Sequence, residues 1–317
     1  MSNSLPLKIY NSISEFTPAQ KTIVTLGTFD GVHIGHRKII DRLVSEAKVK
    51  NFESVILTFF PHPRMILGQV DNIKLLNTIN EKSNLLASSG LDNLIIHPFD
   101  AAFSQLSAEE FVKSILVDQL NISKIIIGYD HRFGKDRTAT IDDLIKFGQK
   151  YRFDVEQISA QEIDDVAVSS TKIRNALRLG DMELANEFLG YPYQISGSVV
   201  HGKKLGRTIG FPTANVSISE SYKQLPKNGV YIVKSTIDGT TIFGMMSVGE
   251  NPTIIDKPFS IEVYFFKFDQ DIYGRQIQIS ILHRIRDEQK FESVEALKHA
   301  IRNDEDYAYD YLSEHKL

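Results

Sequence analysis

Hydrophobic and polar positions form two recurring patterns in the first half of the chain. Short runs of β-branched and apolar residues predict buried strands, and apolar residues spaced three or four apart between these runs predict amphipathic helices. The predicted strands are Thr22–Leu26, Ser54–Phe60, Asn93–Pro98, Lys124–Gly128 and Asp154–Ile158, and the predicted helices are Arg37–Val49, Thr78–Ser89, Ala108–Gln119 and Ile141–Tyr151. This alternation indicates parallel strands joined by right-handed crossovers, so we predict a doubly wound α/β sheet.

After Ser169 the pattern becomes helical, and it then changes again. The region Gln194–Arg286 consists of short β-rich runs separated by turn signals, one of which is the hairpin pair Asp238-Gly239. This region predicts a small β barrel or sandwich. A last amphipathic stretch, about Val294–Leu312, predicts a terminal helix.

The change of pattern implies two different domains rather than a duplication. We place the boundary beside Gly190, which gives an α/β domain over residues 1–189 and a β domain with a terminal helix over residues 190–317. The 317 residues suffice for two domains, and the 42% of hydrophobic residues supports packed cores. No apolar stretch is long enough to span a bilayer, and the first residues lack the pattern of a signal peptide.

Composition and charge narrow the possible chemistry. The absence of cysteine excludes disulfides, thiolate metal sites and cysteine nucleophiles, and it fits a cytoplasmic protein. The formal net charge of −4 excludes a general binder of polyanions, so any phosphate chemistry must use local positive sites. We expect no nucleic-acid partner and no membrane partner, and we expect a monomer or a weak homo-oligomer.

The first candidate site is the glycine-rich stretch TLGTFDGVHIGHRK between the first predicted strand and helix. Open parallel sheets bind ligands at the carboxyl ends of their strands, and the following helix offers free N–H groups to an anion. His33 and His36 add donors that could stabilise a phosphoryl group in transfer. The further phosphate-binding candidates of this stretch are Gly27, Phe29, Asp30 and Gly35. The alternative is two ordinary loop histidines, and the chain has no GxxxxGK[ST] phosphate loop.

Two later stretches are expected at the same site. One follows the fourth predicted strand, and the other, SSTKIR, begins a helix. They contain the candidate phosphate-binding residues Asp130, Arg132, Arg137, Ser169, Ser170, Thr171 and Arg174. A solvated loop is the alternative for the two arginines of the first stretch. A plain helix cap is the alternative for the two serines, and it is compatible with phosphate binding because the same N–H groups can serve an anion.

The second candidate site is the loop HGKKLGRTIGFPTAN of the β domain. Its glycines and basic residues suggest a flap that cradles phosphate, with the candidates Gly206, Arg207, Gly210 and Pro212. Thr213 and Asn215 alternate, so on an extended chain their oxygens face the same way, as hard ligands of Mg²⁺ would. Glu262 lies among aromatic residues in a predicted strand and is a candidate general base, the alternative being a solvated position opposite the core.

Three motifs stand in a fixed order along the chain: HxGH at His33–His36, SSTxIR at Ser169–Arg174 and GRTIGFPTAN at Gly206–Asn215. On these motifs the chain resembles the prokaryotic bifunctional riboflavin kinase/FAD synthetase family over nearly its whole length. The resemblance implies a Rossmann-like nucleotidylyltransferase (FMN adenylyltransferase) domain with a parallel sheet, then a six-stranded β-barrel riboflavin kinase domain with a terminal helix. It also implies two reactions: ATP-dependent phosphorylation of riboflavin to FMN, and transfer of AMP from ATP to FMN, which gives FAD and pyrophosphate.

The resemblance further implies roles for individual residues in the first domain. His33 and His36 would stabilise the transition state of adenylyl transfer. Asp130, Ser170 and Arg174 would help to hold the nucleotide and its phosphates.

In the second domain, the resemblance implies that Thr213 and Asn215 bind Mg²⁺ together with ATP. Glu262 would accept the proton of the ribityl 5′-hydroxyl. The flavin contacts that it implies are Phe60, Pro61, His62, Asn251, Arg286 and Glu288.

Two positions depart from the family pattern, because His131 stands where an aromatic residue usually follows the aspartate and Ile254 stands where phenylalanine usually follows Asn-Pro-Thr. We expect these departures to affect the affinity for flavins more than the catalytic steps. Two alternatives follow: an enzyme with only one active half, to which His131 leaves an opening, and a flavin carrier without turnover. A carrier needs neither metal ligands nor a base, so Thr213, Asn215 and Glu262 argue against it.

Overall fold

The computed structural model of the chain describes residues 6–68, 73–129, 132–159, 168–202, 205–250 and 259–317, without the side chains of Arg137 and Leu205. The chain forms two compact units, Met1–Ser170 and Thr171–Leu317, here called the α/β unit and the barrel unit. The barrel unit includes helices that precede the barrel in sequence. The boundary at 189/190 stays a prediction about the functional domains.

The α/β unit is built on one parallel sheet of six strands. They are β1 (Lys8–Tyr10), β2 (Thr22–Leu26), β3 (Glu53–Phe59), β4 (Asn93–His97), β5 (Ile122–Gly128) and β6 (Asp154–Ile158). The strand order is β1-β4-β3-β2-β5-β6, and every pairing is parallel. The doubly wound sheet is thus confirmed. The sequence pattern did not reveal β1, because its three residues, none of them buried, form too short a run.

Helices connect these strands in the expected alternation. They are α1 (Ile34–Lys50), α2 (Pro63–Ile66), α3 (Ile79–Ala87), α4 (Ala101–Ser104), α5 (Ala108–Glu110) and α6 (Ile141–Tyr151). A π-helix, Phe111–Gln119, continues α5, and short 3₁₀ turns lie at Ile13–Glu15 and Lys135–Arg137. The predicted start of α1 at Arg37 was too late, because His33 caps the helix and its first turn includes the second histidine.

The two faces of the sheet pack into separate hydrophobic cores. Along β2, Val24 and Leu26 belong to one core, together with Phe111 of the π-helix. Ile23 belongs to the other core, together with Leu43 of α1. Because both faces are covered, all the residues of β2 are buried.

The strand order reverses beside β2. β3 and β4 lie on one side of β2, whereas β5 and β6 lie on the other. At such a switch point the connecting loops diverge and leave a crevice at the carboxyl ends of the strands, where ligands bind. The β2–α1 loop, residues 27–33, begins at this point, as does the segment that follows β5.

The barrel unit contains a closed antiparallel barrel. Its strands are β7 (Tyr193–Val200), β8 (Ala214–Ser217), β9 (Gly229–Ile237), β10 (Thr240–Gly249), β11 (Ser260–Phe265) and β12 (Gln276–Arg286), in the order β10-β11-β8-β7-β12-β9. The predicted hairpin between β9 and β10 is confirmed, and Asp238 and Gly239 both have positive φ, 51° and 78°. The residue pattern alone allowed a barrel or a sandwich, and the six-stranded barrel that the family resemblance implied is confirmed. The pattern did not reveal β8, which lies in the stretch interpreted as a phosphate flap.

Helices flank this barrel. They are α7 (Ser170–Leu179), α8 (Met182–Leu189), α9 (Leu205–Thr208) and α10 (Val294–Glu314). Asn186 ties α8 to the barrel, because its amide nitrogen donates to Ile281 O at 3.0 Å and its amide oxygen accepts from Tyr193 N at 2.7 Å. The terminal helix α10 packs Ala308 and Leu312 into a hydrophobic cluster on the barrel, which confirms the predicted terminal helix.

Candidate active sites

His33 and His36 lie together at the N-terminus of α1. Their rings are stacked, with centroids 3.6 Å apart and planes inclined by 19°. The backbone N–H of His36 donates to Nδ1 of His33 at 3.4 Å, which makes His33 the N-cap. With Nδ1 as an acceptor, a neutral His33 carries its proton on Nε2. The structure therefore brings two imidazoles to a helix N-terminus, which is suited to binding an anion.

The loop that leads into these histidines is strained. Phe29 and Val32 have positive φ, 45° and 38°, which a β-branched residue such as Val32 rarely adopts. Both side chains are buried. Ser170 Oγ donates to Asp30 O at 2.8 Å, and the N–H of Leu76 donates to Asp30 Oδ1 at 2.8 Å. A strained backbone persists only where its surroundings determine it, and these contacts do so here.

Burial controls protonation at this site. The pKa of His36 lies well below its ordinary 6.5, first because of burial and then because of the neighbouring His33 and Lys82. Within the described part of the chain, the buried Nδ1 of His36 has no hydrogen-bond partner. Lys82 of α3 is 5% exposed and donates to Thr28 O at 2.7 Å. Burial lowers the pKa of Lys82 to about 8, against the opposing effect of Asp30. A neutral imidazole thus lies near a buried amine.

Several other predicted nucleotide-site residues accompany the histidines. A Cβ on Gly27 would lie 3.3 Å from the ring of Phe29, so the strand end and the loop pack closely. Gly35 is buried in the first turn of α1. Ser169 is partly buried, and Ser170 begins α7 and contacts the β2–α1 loop.

The structure also describes three other residues that were predicted for this site. Arg132 is exposed on the segment after β5. Thr171 and Arg174 belong to α7 within the barrel unit, where Thr171 is exposed and Arg174 is buried. Asp130 and the side chain of Arg137 lie outside the described part of the chain, as does His131.

The predicted flavin contacts of the α/β unit follow β3 directly. The peptide bond between Phe60 and Pro61 is cis. His62 is buried, and its Nδ1 accepts from the N–H of Arg64 at 3.1 Å, which caps α2. Because β3 is the neighbour of β2, these residues lie at the same edge of the sheet as the two histidines.

Thr213, Asn215 and Glu262 converge on one place in the barrel. Asn215 of β8 lies directly opposite Glu262 of β11 in the antiparallel register. Thr213 Oγ1 donates to Glu262 Oε2 at 3.0 Å, and Ser260 Oγ donates to Glu262 Oε1 at 3.2 Å. Glu262 is half-buried, whereas its neighbour Val263 is fully buried. Two hydroxyls therefore orient a carboxylate beside a carboxamide.

Two glycines let the backbone approach this cluster. A Cβ on Gly202 would lie 2.2 Å from Asn215 Nδ2, so the carboxamide packs directly over this residue. A Cβ on Gly206 would lie 2.2 Å from Phe211 O and 3.3 Å from Thr213 Oγ1. The turn that contains α9 therefore folds tightly against Thr213. The other predicted flap residues are exposed: Arg207, Gly210 and Pro212.

Two predicted flavin contacts of the barrel unit have partners within that unit. Arg286 donates to Asp304 of α10 through Nε at 2.8 Å and through Nη2 at 2.7 Å. The carboxylate of Glu288 lies against Gly249, where an added Cβ would come within 2.4 Å of it. Asn251, like Ile254, lies outside the described residues.

Two family models match the chain one after the other. A model described as FAD synthetase matches residues 16–172, and a model described as riboflavin kinase matches residues 189–312. A bifunctional riboflavin kinase/FMN adenylyltransferase from Listeria monocytogenes is 40% identical over 92% of each chain. The chain belongs to the bifunctional riboflavin kinase/FMN adenylyltransferase family.

Other comparisons extend this family likeness. The bifunctional riboflavin kinase/FMN adenylyltransferase of Bacillus subtilis is 39% identical over 92% of this chain and 93% of its own. A crystal structure described as a macrolide-efflux protein from Streptococcus pneumoniae is 31% identical, with a TM-score of 0.86 over 96% of this chain and 99% of that one. That description names a different activity, and the family assignment rests on the two models and the bifunctional relatives. Among the helices described here, none has the length and apolarity to cross a membrane.

Three residues that contribute to the sites were not predicted from the sequence. Lys82 lies four residues before the buried Leu86 on α3, so its place on the apolar side of the helix was the available signal. Ser260 lies two residues before Glu262 and therefore on the same face of β11. Gly202 had no signal beyond its place in a glycine-rich loop.

Proposed function

We propose that this chain converts riboflavin to FMN on its barrel unit and FMN to FAD on its α/β unit, each step using ATP. The observation that carries the proposal is the pairing of Asn215 opposite Glu262, with Thr213 hydrogen-bonded to the same carboxylate. A flavin carrier has no use for such a cluster. The α/β unit adds an independent feature, because His33 and His36 stand at a helix N-terminus beside the switch point of a parallel sheet.

In the riboflavin kinase reaction, the ribityl 5′-oxygen attacks the γ-phosphorus of ATP. The bond from that phosphorus to the β,γ-bridging oxygen breaks, and ADP leaves. Glu262 accepts the proton of the 5′-hydroxyl, which is a weak nucleophile. The hydroxyls of Thr213 and Ser260 hold both carboxylate oxygens in place for this transfer. Alignment and charge neutralisation supply most of the rate in phosphoryl transfer.

Thr213 and Asn215 fit a Mg²⁺ ion that arrives with ATP. Both offer hard oxygen ligands, and Thr213 uses its hydrogen for Glu262, which leaves its lone pairs for a cation. Among the described residues, there is no cluster of three or more His, Cys, Asp or Glu side chains that could bind a metal ion. This suits Mg²⁺, which usually takes few protein ligands and retains phosphates and water. The ion would neutralise charge on the phosphates when bound.

In the adenylylation reaction, a phosphate oxygen of FMN attacks the α-phosphorus of ATP, and pyrophosphate leaves. The nucleophile is already anionic, so the site needs donors for the charge that develops on the α-phosphate rather than a strong base. His33, through Nε2–H, and the N–H groups at the start of α1 supply such donors. His36 supplies a second imidazole. Asp130, Ser170 and Arg174 are proposed to hold the nucleotide.

Further proposals concern the whole protein. We propose that the two catalytic domains divide at 189/190, and that Phe60, Pro61, His62, Asn251, Arg286 and Glu288 contact the flavin. The protein is proposed to be cytoplasmic, and a monomer or a weak homo-oligomer.

A time course tests the proposed function. Purified protein is incubated with riboflavin, ATP and Mg²⁺, and the flavins are separated by chromatography. FMN should appear first and FAD later. FMN that accumulates without FAD, even when FMN is supplied, would contradict the role of the α/β unit. Riboflavin that co-elutes with the protein but is never converted would favour a carrier.

A further inference from the structure

Lys82 is a buried lysine that the reactions described above do not use. It stands in the first turn of α3, and only 5% of it is exposed. A lysine normally keeps its ammonium group in water, and a positive charge near a helix N-terminus opposes the helix dipole. Both effects disfavour Lys82 at this place, so its burial requires specific partners.

The ammonium group of Lys82 contacts the loop that carries the histidines. Its Nζ donates to Thr28 O at 2.7 Å, and the buried carboxylate of Asp30 offsets its charge. The same carboxylate accepts from the N–H of Leu76 at 2.8 Å, just before α3. Two polar contacts therefore join the start of α3 to the β2–α1 loop.

The loop held in this way is strained, because Phe29 and Val32 have φ of 45° and 38°. Thr58 Oγ1 adds a longer bond to Thr28 O at 3.3 Å. His33 follows Val32 directly, so a change in the loop would move the imidazoles. A displacement of about 1 Å in a catalytic group can cost roughly a hundredfold in rate.

We infer that Lys82 is a positioning residue for adenylyl transfer, which fixes the β2–α1 loop through Thr28 and keeps a buried positive charge near the two histidines. The inference rests on the proposed roles of His33 and His36. Lys82 acts through these groups and not by contact with substrate. The titratable groups that interact with it are Asp30 of the loop and His36 of α1. Glu81 precedes it on α3, and its Oε2 accepts from the N–H of Thr78.

The charge of Lys82 has two effects on the site. It adds to the effects of burial and of His33, which already lower the pKa of His36, and it adds positive potential near the N-terminus of α1. Because burial lowers the pKa of Lys82 to about 8, the charge is present at neutral pH and is lost as the pH rises through that value. FAD formation should therefore decline on the alkaline side at about pH 8.

The test compares Lys82→Met with Lys146→Met in the full-length protein. Methionine keeps the length of the side chain without its charge. Lys146 of α6 is 74% exposed and contacts Asp143 at 3.4 Å, so its replacement is the matched control. For each protein, kcat and KM of FAD formation from FMN and ATP are measured across pH, and FMN formation from riboflavin is measured in the same preparation. Thermal unfolding is recorded in parallel.

In Lys82→Met, kcat for FAD formation should fall roughly ten- to a hundredfold with little change in KM. The alkaline decline should disappear, while FMN formation, which is proposed for the barrel unit, should persist. A variant with the wild-type kcat and pH profile would overturn the inference. So would a loss of FAD formation that only tracks a loss of thermal stability, because that indicates a purely structural lysine.

Two further results keep the test decisive. If Lys82→Met does not fold, Lys82→Gln is measured in the same assays, and a wild-type kcat for FAD formation in that variant overturns the inference. A wild-type protein that forms no FAD at any pH contradicts the proposed function itself. Wild-type FAD formation together with an unaffected variant contradicts only the role of Lys82.

Discussion

The hydroxyl of Thr213, the residue directly before β8, donates a hydrogen bond of 3.0 Å to the carboxylate of Glu262 on the neighbouring strand β11. The bond orients the carboxylate, and it leaves the lone pairs of the hydroxyl oxygen for a cation. One contact thus links the proposed base with the proposed Mg²⁺ ligand. Replacing either residue should impair FMN formation, but in a different way.

Replacing Glu262 with glutamine should stop FMN formation selectively. Glutamine keeps the size of the side chain and can still accept from Thr213, but it cannot take up the proton of the 5′-hydroxyl. General bases contribute about 10²–10⁴-fold, so kcat for FMN formation should fall by this factor with little change in the KM for ATP. Steady-state assays in which the flavins are separated by chromatography measure kcat and the KM for ATP.

Ser260→Ala is the control for this prediction. It removes the hydrogen bond of 3.2 Å to the other carboxylate oxygen but leaves the base itself. Its effect should be smaller than that of Glu262→Gln, because it removes one hydrogen bond, worth about 1.5–3 kcal/mol when the acceptor is charged, and keeps the base. FAD formation from added FMN should be unchanged in both variants. Undiminished FMN formation in Glu262→Gln would show that another group is the base.

Replacing Thr213 with valine should raise the Mg²⁺ concentration that FMN formation requires. Valine has nearly the same shape without the oxygen, whereas Thr213→Ser keeps the ligand. We expect the half-saturating Mg²⁺ concentration to rise at least about tenfold in the valine variant and to change little in the serine variant. The half-saturating concentration is measured by titrating Mg²⁺ in the assay of FMN formation. A lower rate at unchanged Mg²⁺ dependence would mean that Thr213 acts only by orienting Glu262.

Replacing His36 with asparagine should lower FAD formation by about 10²–10³-fold, the usual loss for a donor that stabilises transition-state charge. FMN formation should be unaffected. An unchanged rate of FAD formation in this variant would refute the proposed mechanism of the α/β unit.

The lowered pKa of His36 also gives a stability prediction. Below 6.5 the unfolded chain binds this proton more readily than the folded protein, whose pKa lies lower. The folded state therefore loses stability as the pH falls through this range, and regains it as the pH rises towards 6.5. His36→Asn lacks this contribution, so thermal unfolding should be less sensitive to acid than in the wild type. An equal acid sensitivity of the two proteins would contradict the lowered pKa.

Local patterns gave the elements of both units and most of the candidate residues. The bounds of β2 were predicted correctly, because a buried strand consists of β-branched and apolar residues. The Asp238-Gly239 pair correctly predicted the hairpin between β9 and β10, because these residue types readily adopt positive φ. Phe29 and Val32 left no such trace. Neither is glycine, and their positive φ is imposed by contacts from distant segments.

The contacts between residues within each site were harder to predict from the sequence. Alternation indicated the face of Glu262 but not its register, so its position opposite Asn215 needed the structure. Lys82 was hidden for a similar reason. Its spacing on α3 predicts a buried position. Only the structure shows that its ammonium group donates to the Thr28 carbonyl and that the Asp30 carboxylate offsets its charge.

The ion pair between Arg286 and Asp304 should stabilise the barrel unit by joining β12 to α10. Asp304 is 6% exposed and accepts two donors of the guanidinium, Nε at 2.8 Å and Nη2 at 2.7 Å. Removing Asp304 leaves the partly buried guanidinium of Arg286 without this carboxylate, which should cost less than the ~3–5 kcal/mol typical of a fully buried pair. Asp304→Ala should therefore lower the unfolding temperature clearly, whereas Glu295→Ala, an 81% exposed position on the same helix, should not.

The double variant Arg286→Met/Asp304→Leu separates this structural role from the predicted flavin contact. Replacing both charges with apolar side chains of similar volume is often neutral for stability, so most of the lost unfolding temperature should return. The KM for riboflavin is then measured in this stable background. If Arg286 contacts the flavin, KM should rise although the fold is restored. An unchanged KM would mean that Arg286 does not contact the flavin. Its guanidinium would then serve only to attach α10 to β12 through Asp304.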